Sequence, residues 1–159
     1  MAPIALTLTE RITNLLYDYV EAIDDGRLEA WPEMFVDDCV YKIVSRENSD
    51  RGRDLPLVYC DGIGMLRDRI NVFRNALIYS YRFDRHLLSN VRVVDAADGV
   101  YRVRAHFSVF KTDPEGQTEV FCAGRYDDRV VIPNGEPKFK EKIVILDTFN
   151  VPNMIQTPL

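Results

Sequence analysis

The feature that most constrains the fold is a change of hydrophobic period partway along the chain. Before about residue 77 apolar residues recur mostly every three or four positions, and from Arg85 onward they alternate. A chain that places its helical pattern first and its strand pattern afterwards is expected to be α+β, with a curved, mainly antiparallel sheet wrapped around three N-terminal helices. Ile12, Leu15, Leu16, Tyr19, Val20 and Ile23 share one face of a helix predicted over 9–25. Thr7 and Glu10 have the spacing of a capping box, and Gly26 supplies the left-handed residue that commonly ends a helix. A short second helix is predicted over 28–35, with Trp31 and Phe35 on one face and Pro32 in its first turn. A third starts near Asp61, its N-cap, and carries Ile63, Leu66, Ile70, Phe73 and Leu77.

Between these helices, 39–45 reads as a strand, 47–56 as a polar loop and 57–60 as a short apolar piece. The runs 87–94, 100–110, 118–131 and 139–149 are rich in β-formers and separated by turn-forming residues, which predicts an antiparallel meander. Gly124, inside the third run, predicts a bulge. The tail over 151–159 is expected to be extended and pinned by Ile155 and Leu159. No repeat, low-complexity tract or linker interrupts the chain, so residues 1–159 are expected to form one domain.

Composition narrows the function classes. No apolar run reaches the roughly 18–20 residues of a membrane span, and the N-terminus lacks the basic flank and apolar stretch of a secretory signal. Three cysteines, Cys39, Cys60 and Cys122, at unrelated spacings argue against a disulfide framework and for a reducing, cytoplasmic setting. A net charge of −5 with dispersed basic residues gives no reason to expect nucleic acid as a partner. Most of those basic residues are arginine, which protein interfaces favour over lysine.

Signals for chemistry are sparse. There is no Gly-rich phosphate loop, no Gly-x-Ser-x-Gly elbow and no pair of CxxC motifs. A Rieske cluster needs two cysteines and two histidines, and neither His86 nor His106 has a cysteine beside it. No metal-ligating or cofactor-binding residues are therefore expected here. Asp84-Arg85-His86 is the nearest approach to a catalytic cluster: a histidine oriented by a carboxylate, or one simply satisfied by its neighbours. His106 alternates with Arg104 and Ser108 on a polar face that points into a pocket or toward a partner. Tyr17, Tyr19, Tyr41, Tyr59, Tyr79, Tyr81, Tyr101 and Tyr126 read as half-buried core or interface rather than as a ligand box.

An ordered set of segments resembles the small, or β, subunits of aromatic-ring-hydroxylating dioxygenases. Ala22-Ile23-Asp24-Asp25-Gly26-Arg27-Leu28-Glu29-Ala30-Trp31-Pro32 followed by Asp38-Cys39-Val40-Tyr41 is similar to their opening. Asp68-Arg69-Ile70, then Arg85-His86-Leu87-Leu88-Ser89-Asn90-Val91-Arg92-Val93, then Glu119-Val120-Phe121-Cys122-Ala123-Gly124-Arg125-Tyr126 follow in order. The resemblance implies a cone-shaped domain of the nuclear transport factor 2-like, or cystatin-like, kind. It implies a β-subunit trimer inside an α3β3 hexamer and a non-catalytic role. The partner large subunit would carry a Rieske [2Fe-2S] cluster and a mononuclear Fe(II), with NAD(P)H used by a separate reductase. Trp31-Pro32, 54–59 and Glu119-Val120-Phe121 are most similar to subunits of enzymes acting on aromatic acids such as terephthalate, salicylate or anthranilate.

Under this reading Trp31, Arg85, His86, Arg92, Arg104, His106, Arg125 and Tyr126 are the candidate interface residues. The second reading is a stand-alone, metal-free isomerase, dehydratase or cyclase on the same fold, similar to ketosteroid isomerase or scytalone dehydratase. It would use Asp84, His86, Tyr41 and Tyr59 in a deep pocket. A third is a ligand-binding or transport module. A cone filled with aliphatic side chains would remove the second.

Overall fold

The computed structural model describes residues 6–75, 82–148, 155 and 157–159. Leu77, Tyr79, Tyr81, Phe149 and most of the predicted tail lie outside the described residues. The chain opens with α1 (Leu8–Asp24), capped as its sequence predicts. Thr7 and Glu10 exchange the two hydrogen bonds of a capping box. At the other end Gly26, at φ +69°, closes a Schellman motif in which Arg27 N–H reaches Ala22 O (2.8 Å) and Gly26 N–H reaches Ile23 O (3.0 Å). The apolar face of α1, from Ile12 to Ile23, is buried against the sheet.

The predicted second helix is instead two 3-10 turns, Leu28–Ala30 and Pro32–Met34. The reason is Trp31 between them. Its side chain is fully buried, and its ring meets Tyr41 edge-on with centroids 5.1 Å apart. Packing of one large aromatic thus outweighs the weak helical preference of eight residues. β1 (Phe35–Ser45) follows and starts earlier than predicted. The polar segment after it is not all loop: Ser45 caps a short α2 (Arg46–Asp50) by accepting from Asn48 N–H. β2 (Val58–Asp61) uses the apolar piece, so Asp61 ends a strand, and α3 (Ile63–Asn75) begins after Gly62, at φ +85°.

The rest is sheet: β3 (Phe83–Ala97), β4 (Val100–Thr112), β5 (Thr118–Val131) and β6 (Lys138–Leu146). These four form the predicted antiparallel meander. The strand order β2-β1-β6-β5-β4-β3 shows what pattern alone did not give, because β6 also pairs in parallel with β1. The sheet is unclosed, with β2 and β3 at its edges. Register shifts between Ser89 and Arg92, between Val109 and Phe110, and between Arg129 and Val130 interrupt the ladders. Such extra residues increase local twist and bend a sheet.

Gly124 is not a bulge. It pairs regularly with Phe107 and Leu146, while the register shift lies nearby at Phe121. A Cβ at position 124 would collide with the carbonyl oxygen of Ile145 and press on the Phe107 ring. Glycine is needed there for close approach rather than for bending. Phe107 stacks on Tyr126 (centroids 4.5 Å apart, 12° between planes), and Tyr19, Trp31, Phe35, Tyr41 and Phe139 complete an aromatic core in the concave side of the sheet.

Candidate functional site

His86 is the most chemically distinctive residue of the interior. It sits near the start of β3, with its side chain fully buried against the last turn of α1. The carboxylate that orients it is Asp24, not Asp84. Asp24 Oδ2 accepts from the His86 backbone N–H at 2.8 Å, and Oδ1 lies 2.6 Å from Nδ1. That network assigns the proton to Nδ1. Arg85 approaches the same carboxylate at 3.7 Å. A carboxylate at the C-terminal end of a helix opposes the helix dipole, so Asp24 is held there by its donors. It ties α1 to β3. Asp24 follows Val20 by four positions and so continues the apolar stripe, a signal by which the sequence could have revealed it.

Each of the four residues of the stand-alone-enzyme reading is engaged with a different partner, His86 with Asp24. Asp84 pairs with Arg82 (3.0 Å) and accepts from the Thr157 hydroxyl (3.4 Å). Tyr41 lies in the aromatic core, where burial pushes its phenol up to about 12, and accepts from the Leu159 N–H at 3.0 Å. Tyr59 is half-exposed on edge strand β2 with the Lys42 ammonium over its ring, across the sheet from β3. A groove of about 320 Å³ runs between α1 and β3 beside the Asp24–His86 tie. The histidine side chain has no exposed surface, and His86 Nε2 is buried without a hydrogen-bond partner among the described residues.

Sequence reasoning missed a second buried pair. Lys142 and Asp128 are both fully buried, 2.9 Å apart, and Asp128 also accepts from Ile143 N–H (3.3 Å). The ammonium lies over the rings of Tyr126 (3.2 Å), Tyr19 (4.6 Å) and Phe139 (5.0 Å). Burial pushes the Asp128 carboxyl up to about 6 and the Lys142 amine down to about 8, each against the attraction of the other.

Among the described residues, the histidines and cysteines do not come together as a metal centre. His86 faces inward on β3 and His106 is exposed on β4, and burial raises the thiol pKa of Cys39, Cys60 and Cys122. Among the described residues no three His, Cys, Asp or Glu side chains converge as a ligand set. No described helix is long and apolar enough to cross a membrane.

The candidate interface residues divide in two. Trp31 and Tyr126 are fully buried within the chain, and His86 nearly so, leaving no surface for a partner. Trp31 and Tyr126 belong to the aromatic core, and His86 is held by Asp24. Arg85, Arg92, Arg104 and His106 are exposed, and Arg125 is partly so. Arg92 and Arg104 stand directly opposite one another on β3 and β4. Asp127, held below the ordinary carboxylate range, is the anion beside Arg104; burial opposes that shift, but hydrogen bonds from Arg102 and Arg129 outweigh it. Asp127 is already engaged by Arg102 at 2.6 and 2.8 Å and lies 3.8 Å from Arg104. His106 meets Asn90 at 3.0 Å, and Arg125 pairs with Asp50 at 3.2 Å.

An unclosed six-stranded sheet, curved over an N-terminal helix and filled by aromatic side chains, defines a cone of the SnoaL-like, nuclear transport factor 2-like class. Residues 5–142 match the family model described as a SnoaL-like domain. Within that class the similarities are narrower. The chain is 39% identical over 141 residues to the anthranilate 1,2-dioxygenase small subunit of Burkholderia cepacia, covering 89% of this chain and 88% of the relative. It is 30% identical to a terminal-oxygenase β subunit of terephthalate 1,2-dioxygenase from a Comamonas species, covering 89% and 92%. A crystal structure described as the β subunit of an aromatic-ring-hydroxylating dioxygenase from Novosphingobium aromaticivorans superposes with a TM-score of 0.86 at 34% identity, covering 95% of this chain and 96% of that one. The chain belongs to the small (β) subunits of the aromatic-ring-hydroxylating dioxygenases.

Proposed function

We propose that this chain is a non-catalytic, structural small subunit, one domain over residues 1–159, that supports a cytoplasmic iron-bearing large subunit in aromatic catabolism. The observation that carries this reading is the interior itself. Where an enzyme on this fold would need an accessible proton-transfer group, the described residues place aromatic side chains, a buried ion pair and a histidine with no exposed surface. The similarity to small subunits of anthranilate and terephthalate dioxygenases supports an aromatic acid as the substrate class of the complex. In this reading the large subunit holds the Rieske [2Fe-2S] cluster and the mononuclear Fe(II), a separate reductase uses NAD(P)H, and a trimer of this chain underlies an α3β3 hexamer. The large subunit meets the outer face of β3 to β5, where Arg85, Arg92, Arg104, His106 and Arg125 lie.

The test is co-expression with a Rieske-type large subunit encoded beside this chain, purified through a tag on this chain. A stable hexamer that loses all its iron when the large subunit is omitted is the expected result. A chain that elutes alone, with no partner retained, would overturn the reading and bring the Asp24–His86 groove forward as the site of a stand-alone enzyme.

A further inference from the structure

After the sheet is complete the chain re-enters the cone. Leu159 and Pro158 are buried, and Ile155 packs against the core. Polar contacts from four different elements hold this segment. Tyr19 of α1 donates its hydroxyl proton to the backbone oxygen of Leu159 at 2.7 Å, and Leu159 N–H donates to the Tyr41 hydroxyl of β1 at 3.0 Å. Arg69 of α3 donates to Ile155 O at 3.1 Å, and the Thr157 hydroxyl donates to Asp84 at the start of β3 at 3.4 Å. Tyr19 and Tyr41 are themselves fully buried, and the buried indole N–H of the neighbouring Trp31 has no partner among the described residues.

Any buried segment must satisfy its backbone N–H and C=O groups; here side chains of three separate elements do so, and a fourth accepts from the Thr157 hydroxyl. Buried hydroxyls are costly unless partnered, yet two phenols on separate elements converge on the N–H and the oxygen of one residue. This is how a site reads an N-acylated residue: one acceptor for its N–H and one donor for its carboxyl-carbon oxygen, both fixed on rigid elements inside an apolar cage. We propose that Ile155 and residues 157–159 act as an intramolecular ligand, a plug seated in a recess formed by Tyr19, Tyr41, Arg69 and Asp84 that closes the cone to small molecules. Without the plug, the recess takes an N-acylated branched aliphatic residue, in a short peptide of the same sequence. The proposal concerns the chain by itself and does not rest on its assignment as a dioxygenase subunit.

Two measurements test it. In the full chain, amide hydrogen exchange at Leu159 followed by NMR is expected to be at least about 100-fold slower than in a free peptide. Tyr41→Phe should accelerate it at least about tenfold while the amides of β4 and β5 keep their protection. In a chain lacking residues 155–159, the peptide Ile-Gln-Thr-Pro-Leu at millimolar concentration should raise the melting temperature, and a scrambled peptide should not. The truncated chain should also bind an apolar fluorescent dye that the full chain excludes. Free-peptide exchange rates at Leu159, or a truncation that changes neither melting temperature nor dye binding, would overturn the proposal. Should the truncated chain fail to fold, the exchange rates of the full chain and of Tyr41→Phe decide the question. Partner retention in the co-expression experiment reports separately on the subunit assignment.

Discussion

Lys142 carries its ammonium into the most aromatic part of the molecule and keeps it there with one carboxylate. An acid whose folded pKa is about 6, against an ordinary value of 3.8, removes stability as pH rises from about 4 to 6. An amine whose folded value is about 8, against 10.5, returns stability as pH rises from about 8 to 10.5. The pair therefore costs most between about pH 6 and 8, where both groups are charged. Replacing both, Lys142→Met with Asp128→Leu, is expected to be neutral or to stabilise by up to about 4 kcal/mol at pH 7 and to flatten both limbs of the profile. Asp128→Leu alone should cost about 3–5 kcal/mol at pH 7, with part of the loss recovered by pH 10 as the stranded amine deprotonates. Denaturant midpoints at pH 5, 7 and 10 measure this, and a double variant less stable than Asp128→Leu would contradict it. Asp24 behaves differently because its partners are donors that stay behind. Asp24→Ala strands the backbone N–H and ring N–H of His86 and should cost about 2–4 kcal/mol by the same measurement, whereas Asp24→Asn, which keeps one acceptor, should cost less than half of that.

Among the elements, the β5–β6 ladder is the least forgiving, because Gly124 lets the Ile145 carbonyl and the Phe107 ring close over it from two sides. Gly124→Ala must displace a strand backbone and is expected to destabilise by about 2–4 kcal/mol. Gly26→Ala disturbs only the left-handed residue after α1, where a Cβ meets open space, and should cost about 1 kcal/mol. Thermal denaturation of the two variants side by side checks the order, and equal losses would contradict it. What the sequence disclosed follows the same division between local and distant causes. The start and end of α1 were legible because capping box and Schellman glycine act within one turn. The meander was legible because its strands are successive. The 28–35 segment was misread because Trp31 answers to Tyr41 and the core rather than to its neighbours. The parallel pairing of β1 with β6 joins segments some 100 residues apart, and no local pattern records it. Lys142 and Asp128 did leave a trace, each alternating with inward apolar residues of its strand, Val144 and Leu146 for one and Tyr126 and Val130 for the other. His86 was visible as a type, while its orienting carboxylate left only its place on the apolar stripe of α1, since Asp24 comes from another element.

For the molecule as a whole, the exposed charge of the outer sheet face is only partly compensated by its own fold, through Asp24, Asp50 and Asp127. Like charges directly opposite on neighbouring strands destabilise a sheet, and Arg92 and Arg104 hold such a position with Asp127 largely committed to Arg102 and Arg129. The chain carries a net charge of −5, so this positive face is local and set against the overall charge. An acidic surface on the large subunit would relieve the repulsion and orient the encounter, a contact whose strength falls as salt rises. Arg92→Glu with Arg104→Glu is therefore expected to reduce recovery of the large subunit by tenfold or more at low salt, while the chain itself loses no more than about 4 °C in melting temperature, because the like-charge pair persists with its sign reversed and position 104 then repels Asp127. Arg53→Glu, exposed in the connection between α2 and β2, makes the same change in charge at one position and should leave recovery unchanged. Recovery that persists in the double variant and is indifferent to salt would move the contact away from this face, to the exposed apolar residues Leu55, Leu57 and Tyr59 around β2 at the opposite edge of the sheet. The comparison separates the two surfaces because β2 and β3 are the two edges of one sheet, and a charge reversal at one leaves the other intact.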